Sequence, residues 1–311
     1  MKQKPNSLSL RPLALPFLVL PLSALLTSCG GGGGGSPAPT PLATVSSTTA
    51  ATAGAAAATG LFSQRLLITV NGADLDQGIT VASAGCSGIT RLTAAPTAST
   101  ATTAFYDCNV SAVGAQTVSV ARSVDNASLS SAAYTVAVPQ VTVTVSNGAT
   151  SLGNFVITLE PARAPITTTN FLAYIRSGFY VGTAYHRRVT GFVVQGGGYA
   201  APITAATTPS LKPTSPAIVL EDGAGLLNLR YTMAMARTSA PDSATSQFFI
   251  NLANNASLDR SPTIRGYAVF GTVTSGTDVV DAMAAAPCTA ATYSECVPVP
   301  NLTITAATQT R

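Results

Sequence analysis

The chain has 311 residues, of which 46% are hydrophobic and only 9% charged, with a formal net charge of +4, one histidine and five cysteines. That length allows about two domains. The sparse charge, with no basic run after Arg11, excludes a nucleic-acid surface, which needs clustered Lys and Arg. The single histidine, His186, excludes a Ser-His-Asp hydrolase and a His-rich metal centre, and is read as structural.

Residues 1–29 have the pattern of an export signal. Lys2, Lys4 and Arg11 form a positive start. The apolar run Leu13–Leu26, broken by Pro16 and Pro21, is shorter than the about 20 apolar residues a membrane span needs. It ends Leu26-Thr27-Ser28-Cys29, which resembles a bacterial lipobox with Cys29 as the lipid acceptor. With Gly30 rather than Asp after the cysteine, the resemblance to Gram-negative lipoproteins implies the outer membrane, facing the periplasm. Several acyl chains, at about 0.8 kcal/mol per buried CH₂, make a firm anchor. Residues 30–60 begin with six glycines and continue in Pro, Ala and Thr. Such a segment buries too little apolar surface to offset chain entropy and is expected to be a disordered tether.

Residues 61–138 alternate in short strand-like runs: Leu66–Val70, Val110–Val124 and Tyr134–Val138, separated by Gly, Ser and Asn. No helical period is sustained there. A small immunoglobulin-like β-sandwich is expected, without a carboxylate pair or phosphate loop. Setting Cys29 aside, four cysteines allow three pairings. The module boundary favours Cys86–Cys108 and Cys288–Cys296, in keeping with an oxidising compartment. The absence of a Cys-x-x-Cys spacing argues against zinc and thiol redox chemistry.

Residues 139–311 read differently. Gln140–Val145 alternates, Asn147-Gly148 makes a turn, and Phe155–Leu159 is the next strand. Pro165 opens a helix that Gly178 stops, with Phe171, Tyr174 and Ile175 as its buried stripe. A second helix is expected over Thr277–Ala286, with Val280, Met283 and Ala284 inward and Pro287 ending it. Short strands fill the remainder: Phe192–Val194, Thr232–Met235, Phe248–Ile250, Ala268–Val273 and Leu302–Thr305. The predicted fold class is mainly β.

Three stretches occur in order: Tyr185-His-Arg-Arg-Val-Thr-Gly-Phe-Val-Val-Gln195 with Gly196–Gly198, Met233–Arg237 with Ser246–Asn251, and Tyr267–Gly271. Together they resemble the cyclophilin family of peptidyl-prolyl cis-trans isomerases, over essentially all of 139–311. The resemblance implies an eight-stranded barrel capped by two helices. It also implies acceleration of X–Pro rotation in proline-containing polypeptides, assisting the folding of exported proteins in the cell envelope, with no cofactor and no metal. It assigns catalysis to Arg187, Gln195 and Phe192, with Gln195 bonding substrate backbone and orienting Arg187. Val193, Ala236, Arg237, Phe249, Leu258 and Tyr267 would bind the substrate. Two other readings are a non-catalytic proline-peptide binding module and an adhesive surface lipoprotein.

The chemistry suits these residue types. Rotation about a peptide bond breaks amide resonance, with a barrier of about 18–20 kcal/mol. Its catalysis needs a group that stabilises the twisted amide more than the planar one. A guanidinium never titrates and holds its donors in a rigid plane. The sequence departs from the family pattern at Ser257, where an aromatic is common, and at Arg188, where an aliphatic residue is usual. The first weakens the expectation of cyclosporin binding. The second predicts a side chain opposite to Arg187, with its charge at the barrel rim. Residues 200–215 are expected to be loop.

Overall fold

A computed structural model describes residues 40–291 and 293–311. The signal, Cys29 and the tether as far as residue 39 lie outside the described residues.

The first module contains β1 (Thr44–Thr52), β2 (Thr59–Gly60), β3 (Arg65–Ala73), β4 (Ile79–Ala82), β5 (Cys86–Arg91), β6 (Thr103–Val110), β7 (Gly114–Arg122) and β8 (Ser128–Val136). They form two four-stranded sheets, ordered β1-β3-β6-β5 and β2-β8-β7-β4. Lettered along the chain, with β2 as a second half of the first strand, these are the ABED and CFG sheets of an immunoglobulin-type sandwich. The alternation that predicted strands is the pleat itself: Leu66, Ile68 and Val70 are completely buried while Arg65 and Leu67 face out. The Cys86–Cys108 bridge ties β5 to its neighbour β6 within one sheet, with Cα atoms 5.6 Å apart. Cys288–Cys296 is the second disulfide.

One expectation is overturned here. Residues 44–60 are not tether. β1 pairs with β3 from Thr44↔Ala73 to Thr52↔Leu66, and β2 runs parallel to β8. Ala and Thr are small, but along one side of β1 the backbone is hydrogen-bonded to β3, and Ala50 and Thr52 are buried. The run expected over Val110–Val124 is also two strands, parted at Ser111–Val113.

The second module starts three residues after β8. Its elements are β9 (Gln140–Asn147), β10 (Thr150–Leu159), α1 (Pro165–Arg176), β11 (Thr183–Ala184), β12 (Arg187–Val189), β13 (Val193–Gly196), β14 (Tyr199–Ala200), β15 (Thr232–Met235), β16 (Phe248–Asn251), β17 (Val269–Ser275), α2 (Thr277–Ala285), β18 (Cys288–Ala291), β19 (Ser294–Pro298) and β20 (Leu302–Gln309). The sheet order is β12-β13-β16-β15-β17-β10-β9-β20-β11-β14. Its two ends belong together, because β11 continues into β12 and β13 into β14. Tyr185 N donates to Leu302 O, and His186 N to Gln195 O, so this one passage of chain pairs on both sides. Eight strands therefore close into a barrel, which removes every sheet edge.

The helices cap this barrel. α1 buries Phe171, Leu172, Tyr174 and Ile175. Its N-cap is Ala164, which has no side-chain acceptor, and Glu221 supplies the oxygens from a distant loop. Ile166 N donates to Oε1 at 3.1 Å and Thr167 N to Oε2 at 2.7 Å. In α2 the buried residues are Val279, Val280 and Met283, whereas Ala284 is only partly covered. No described helix is long and apolar enough to cross a membrane.

Sandwich and barrel touch. Gln64 Nε2 donates to Gln309 Oε1 at 3.2 Å, and Gln309 Nε2 to Phe62 O at 3.3 Å. Arg176, at the end of α1, donates to Ser63 Oγ at 3.2 Å.

Candidate active site

The site is laid out by the barrel's strand register. Arg187 lies opposite Gln195, Gln195 opposite Phe249, Phe249 opposite Ala234, and Ala234 opposite Val269. Directly opposed residues share a face of a sheet, so this row runs across four strand junctions on the outer wall. One residue along, Arg188, Val194, Ile250 and Met233 form the inward row, three of them with no exposure at all. Register thus separates a solvent-side site from the barrel core, because side chains alternate at every step.

The turn into β13 has Thr190, Gly191 and Phe192 between the paired Val189 and Val193. Such a three-residue hairpin needs a left-handed residue, and Gly191 has φ of 65°. Phe192 is fixed twice over: its amide donates to Val189 O, and its carbonyl accepts from Asn255 Nδ2 at 2.8 Å.

Arg187, Phe192, Val193, Gln195, Ala236, Arg237, Phe249, Leu258 and Tyr267 together line a cavity of about 170 Å³. These are the nine positions expected from sequence to act on substrate. The cavity is smaller than the about 300 Å³ at which drug-sized ligand pockets begin, a size for a single ring. Its apolar floor is Val193, Phe249, Leu258 and Tyr267, with Phe249 and Tyr267 meeting edge to face at 5.5 Å. Arg237 lies 4.6 Å above the Tyr267 ring and donates to the carbonyls of Thr238, Arg265 and Gly266. Its donors are occupied by the protein's own backbone, so it serves as wall.

Gln195 bonds another side chain. Although paired with Arg187 across the strands, its Nε2 donates to Gln247 Oε1 at 3.1 Å. The side-chain partner of Arg187 among the described residues is Glu295, whose Oε1 accepts from Nη2 at 2.9 Å. Ser257 is exposed beside Leu258 and does not line the cavity. Arg188 points the other way, as expected, but it is more than a surface charge. It donates to Ala284 O at 2.8 Å at the end of α2, to Thr190 Oγ1, and to Cys288 Sγ.

One support, Asp222, was invisible in sequence because its partners are far along the chain. Asp222, with its side chain almost wholly buried, accepts from Arg260 Nη1, from Arg265 Nε and Nη2, and from Gly266 N. These bonds, led by that to Arg265, hold its carboxyl below the usual range. They clamp the loop that delivers Leu258 and Tyr267. His186 sits buried against Tyr199 with Nδ1 unpartnered, and burial lowers its pKa from 6.5 to about 4, with the neighbouring charge of Arg187 adding to the shift.

A closed eight-stranded barrel thus carries on its outer wall a small apolar socket with an arginine at its edge. Residues 141–309 match the family described as cyclophilin type peptidyl-prolyl cis-trans isomerase/CLD. The chain belongs to that family, and its barrel is a peptidyl-prolyl isomerase domain. It is 49% identical over 132 residues to peptidyl-prolyl cis-trans isomerase A of Dickeya dadantii, covering 42% of this chain and 66% of that protein. A peptidyl-prolyl cis-trans isomerase of Acinetobacter baylyi is 50% identical over 138 residues, 44% of this chain and 70% of its own length. One from Streptomyces antibioticus is 49% identical over 139 residues, 43% of this chain and 79% of its own.

Proposed function

We propose that this chain isomerises X–Pro bonds in exported polypeptides and does so at the cell envelope, held by lipid on Cys29. The observation that carries the reading is the convergence of Arg187 with an apolar ring socket in one small cavity. In this reading Phe192, Val193, Phe249, Leu258 and Tyr267 take the proline ring. The backbone edge at Ala236 and Arg237 and the amide of Gln195 hold the flanking chain. Arg187 donates to the substrate as the amide twists and its nitrogen pyramidalises. No bond is made or broken, so the catalytic gain is the difference between binding the twisted and the planar amide. Each about 1.36 kcal/mol of that difference is tenfold in rate.

The envelope placement is supported by the positive start, the apolar run and the Leu-Thr-Ser-Cys ending of residues 1–29, and by two disulfides, which persist in oxidising compartments. The outer membrane, facing the periplasm, is the membrane this reading assigns. The experiment has two arms. Cis-trans exchange of a proline tetrapeptide with the full chain should be accelerated, and peptide binding without acceleration would leave only a binding module. Cys29→Ser should release the protein from the membrane fraction. A variant that still sediments like wild type would remove the lipid anchor from the reading.

A further inference from the structure

A guanidinium that is to favour a twisted amide must be held in one direction, since misplacement forfeits most of its effect. Arg187 has one side-chain partner among the described residues, Glu295. Gln195, the neighbour expected to hold it, is engaged with Gln247. Glu295 belongs to the β18–β19 hairpin, 108 residues further along the chain. That hairpin is held closed and is tied to the chain beside Arg187. Cys288–Cys296 closes it, Val297 is wholly buried, and Ser294 Oγ donates to His186 O at 2.8 Å. Ser294 therefore grips the main chain at residue 186, and the next residue grips the side chain at 187. The Glu295 side chain is 62% exposed and that of Arg187 26%. An ion pair so exposed contributes little to folding stability. What it restricts is the rotamer of a long side chain at the rim of the socket.

We propose that Glu295 is a positioning residue for the isomerase reaction. Its carboxylate holds Nη2 of Arg187 and leaves the other N–H donors of the guanidinium for the substrate. The proposal rests on the isomerase reading and on Arg187 as the donor.

The test uses the full chain with Glu295→Ala, Glu295→Gln, Arg187→Ala and the Arg187→Ala, Glu295→Ala double variant, assayed on a neutral proline tetrapeptide. In Glu295→Ala, kcat should fall about tenfold while KM stays near wild type, because the socket still binds the ring. Glu295→Gln should keep most of the rate, since its amide oxygen accepts the same bond. The melting temperatures should not move. Once Arg187 is absent, removing Glu295 should cost nothing further. A Glu295→Ala rate equal to or above wild type overturns the proposal, as does an equal loss in the Arg187→Ala background. A Glu295→Gln loss as deep as that of alanine assigns the effect to charge and overturns positioning. An inactive wild type overturns the isomerase reading and this proposal together. An active wild type with a silent Glu295→Ala overturns only the role of Glu295.

Discussion

Arg187 and Arg188 are chain neighbours with opposite faces and separate partners. Arg187 lies beside the outer socket with Glu295, and Arg188 reaches the last turn of α2 through Ala284 O. Strand alternation forces the split.

The two alanine variants should therefore fail differently. Arg187→Ala should lose about 2–4 kcal/mol of transition-state stabilisation, mostly in kcat, with an unchanged melt. Arg188→Ala should keep its activity but lose about 1–2 kcal/mol of stability, because a helix-end carbonyl loses a charged donor. Rates on a proline tetrapeptide and thermal melts by circular dichroism check both. A dead Arg188→Ala with a normal melt would reverse the assignment.

Glu221 caps α1 from a distance, accepting from Ile166 N, Thr167 N and Thr167 Oγ1. Glu221→Ala should cost about 1–2 kcal/mol, the range of a lost N-cap with its favourable dipole contact. Urea unfolding reads this directly, through a lower midpoint at unchanged slope.

Asp222→Asn should loosen the socket from behind. It removes the carboxylate that gathers Arg260, Arg265 and Gly266, while both arginines can turn to water, being about half exposed. The expected cost is about 1–3 kcal/mol of stability, with KM rising more than kcat falls, because Leu258 and Tyr267 shape binding. A purely kcat effect would mean that the loop does not set the socket.

His186 makes stability depend on pH. Its folded pKa, about 4, lies below its ordinary 6.5. The unfolded chain therefore takes up a proton first as pH falls. The stability is complete above about 6.5, declines towards 4 and levels off below, a loss of about 3 kcal/mol from this group. Urea midpoints across that range check it, and His186→Gln should flatten the slope even if it starts less stable.

Much of the barrel was legible because its signals are local. Alternating Val141, Val143 and Val145 mark a strand by period two, and Phe171, Tyr174 and Ile175 mark a helix by spacings of three and four. Eight of the nine cavity residues, all but Leu258, lie in compact motifs whose order survives in the linear chain. The strand at 44–52 was not legible. Thr and Ala carry little side-chain signal, and that segment is ordered by its hydrogen bonds to β3.

Sequence by itself determined the β class and the opposite facing of Arg187 and Arg188, because both follow from periodicity and strand parity, and it favoured the cysteine pairing that the structure has. Only the tertiary structure decided which groups hold the site. Glu295 comes to Arg187 from 108 residues away, Glu221 to Thr167 from 54, and Asp222 to Gly266 from 44. Barrel closure and loop docking create those contacts. A hydrogen bond between distant residues leaves no period or spacing in the chain, so the helpers of the site became visible only once the strands had closed.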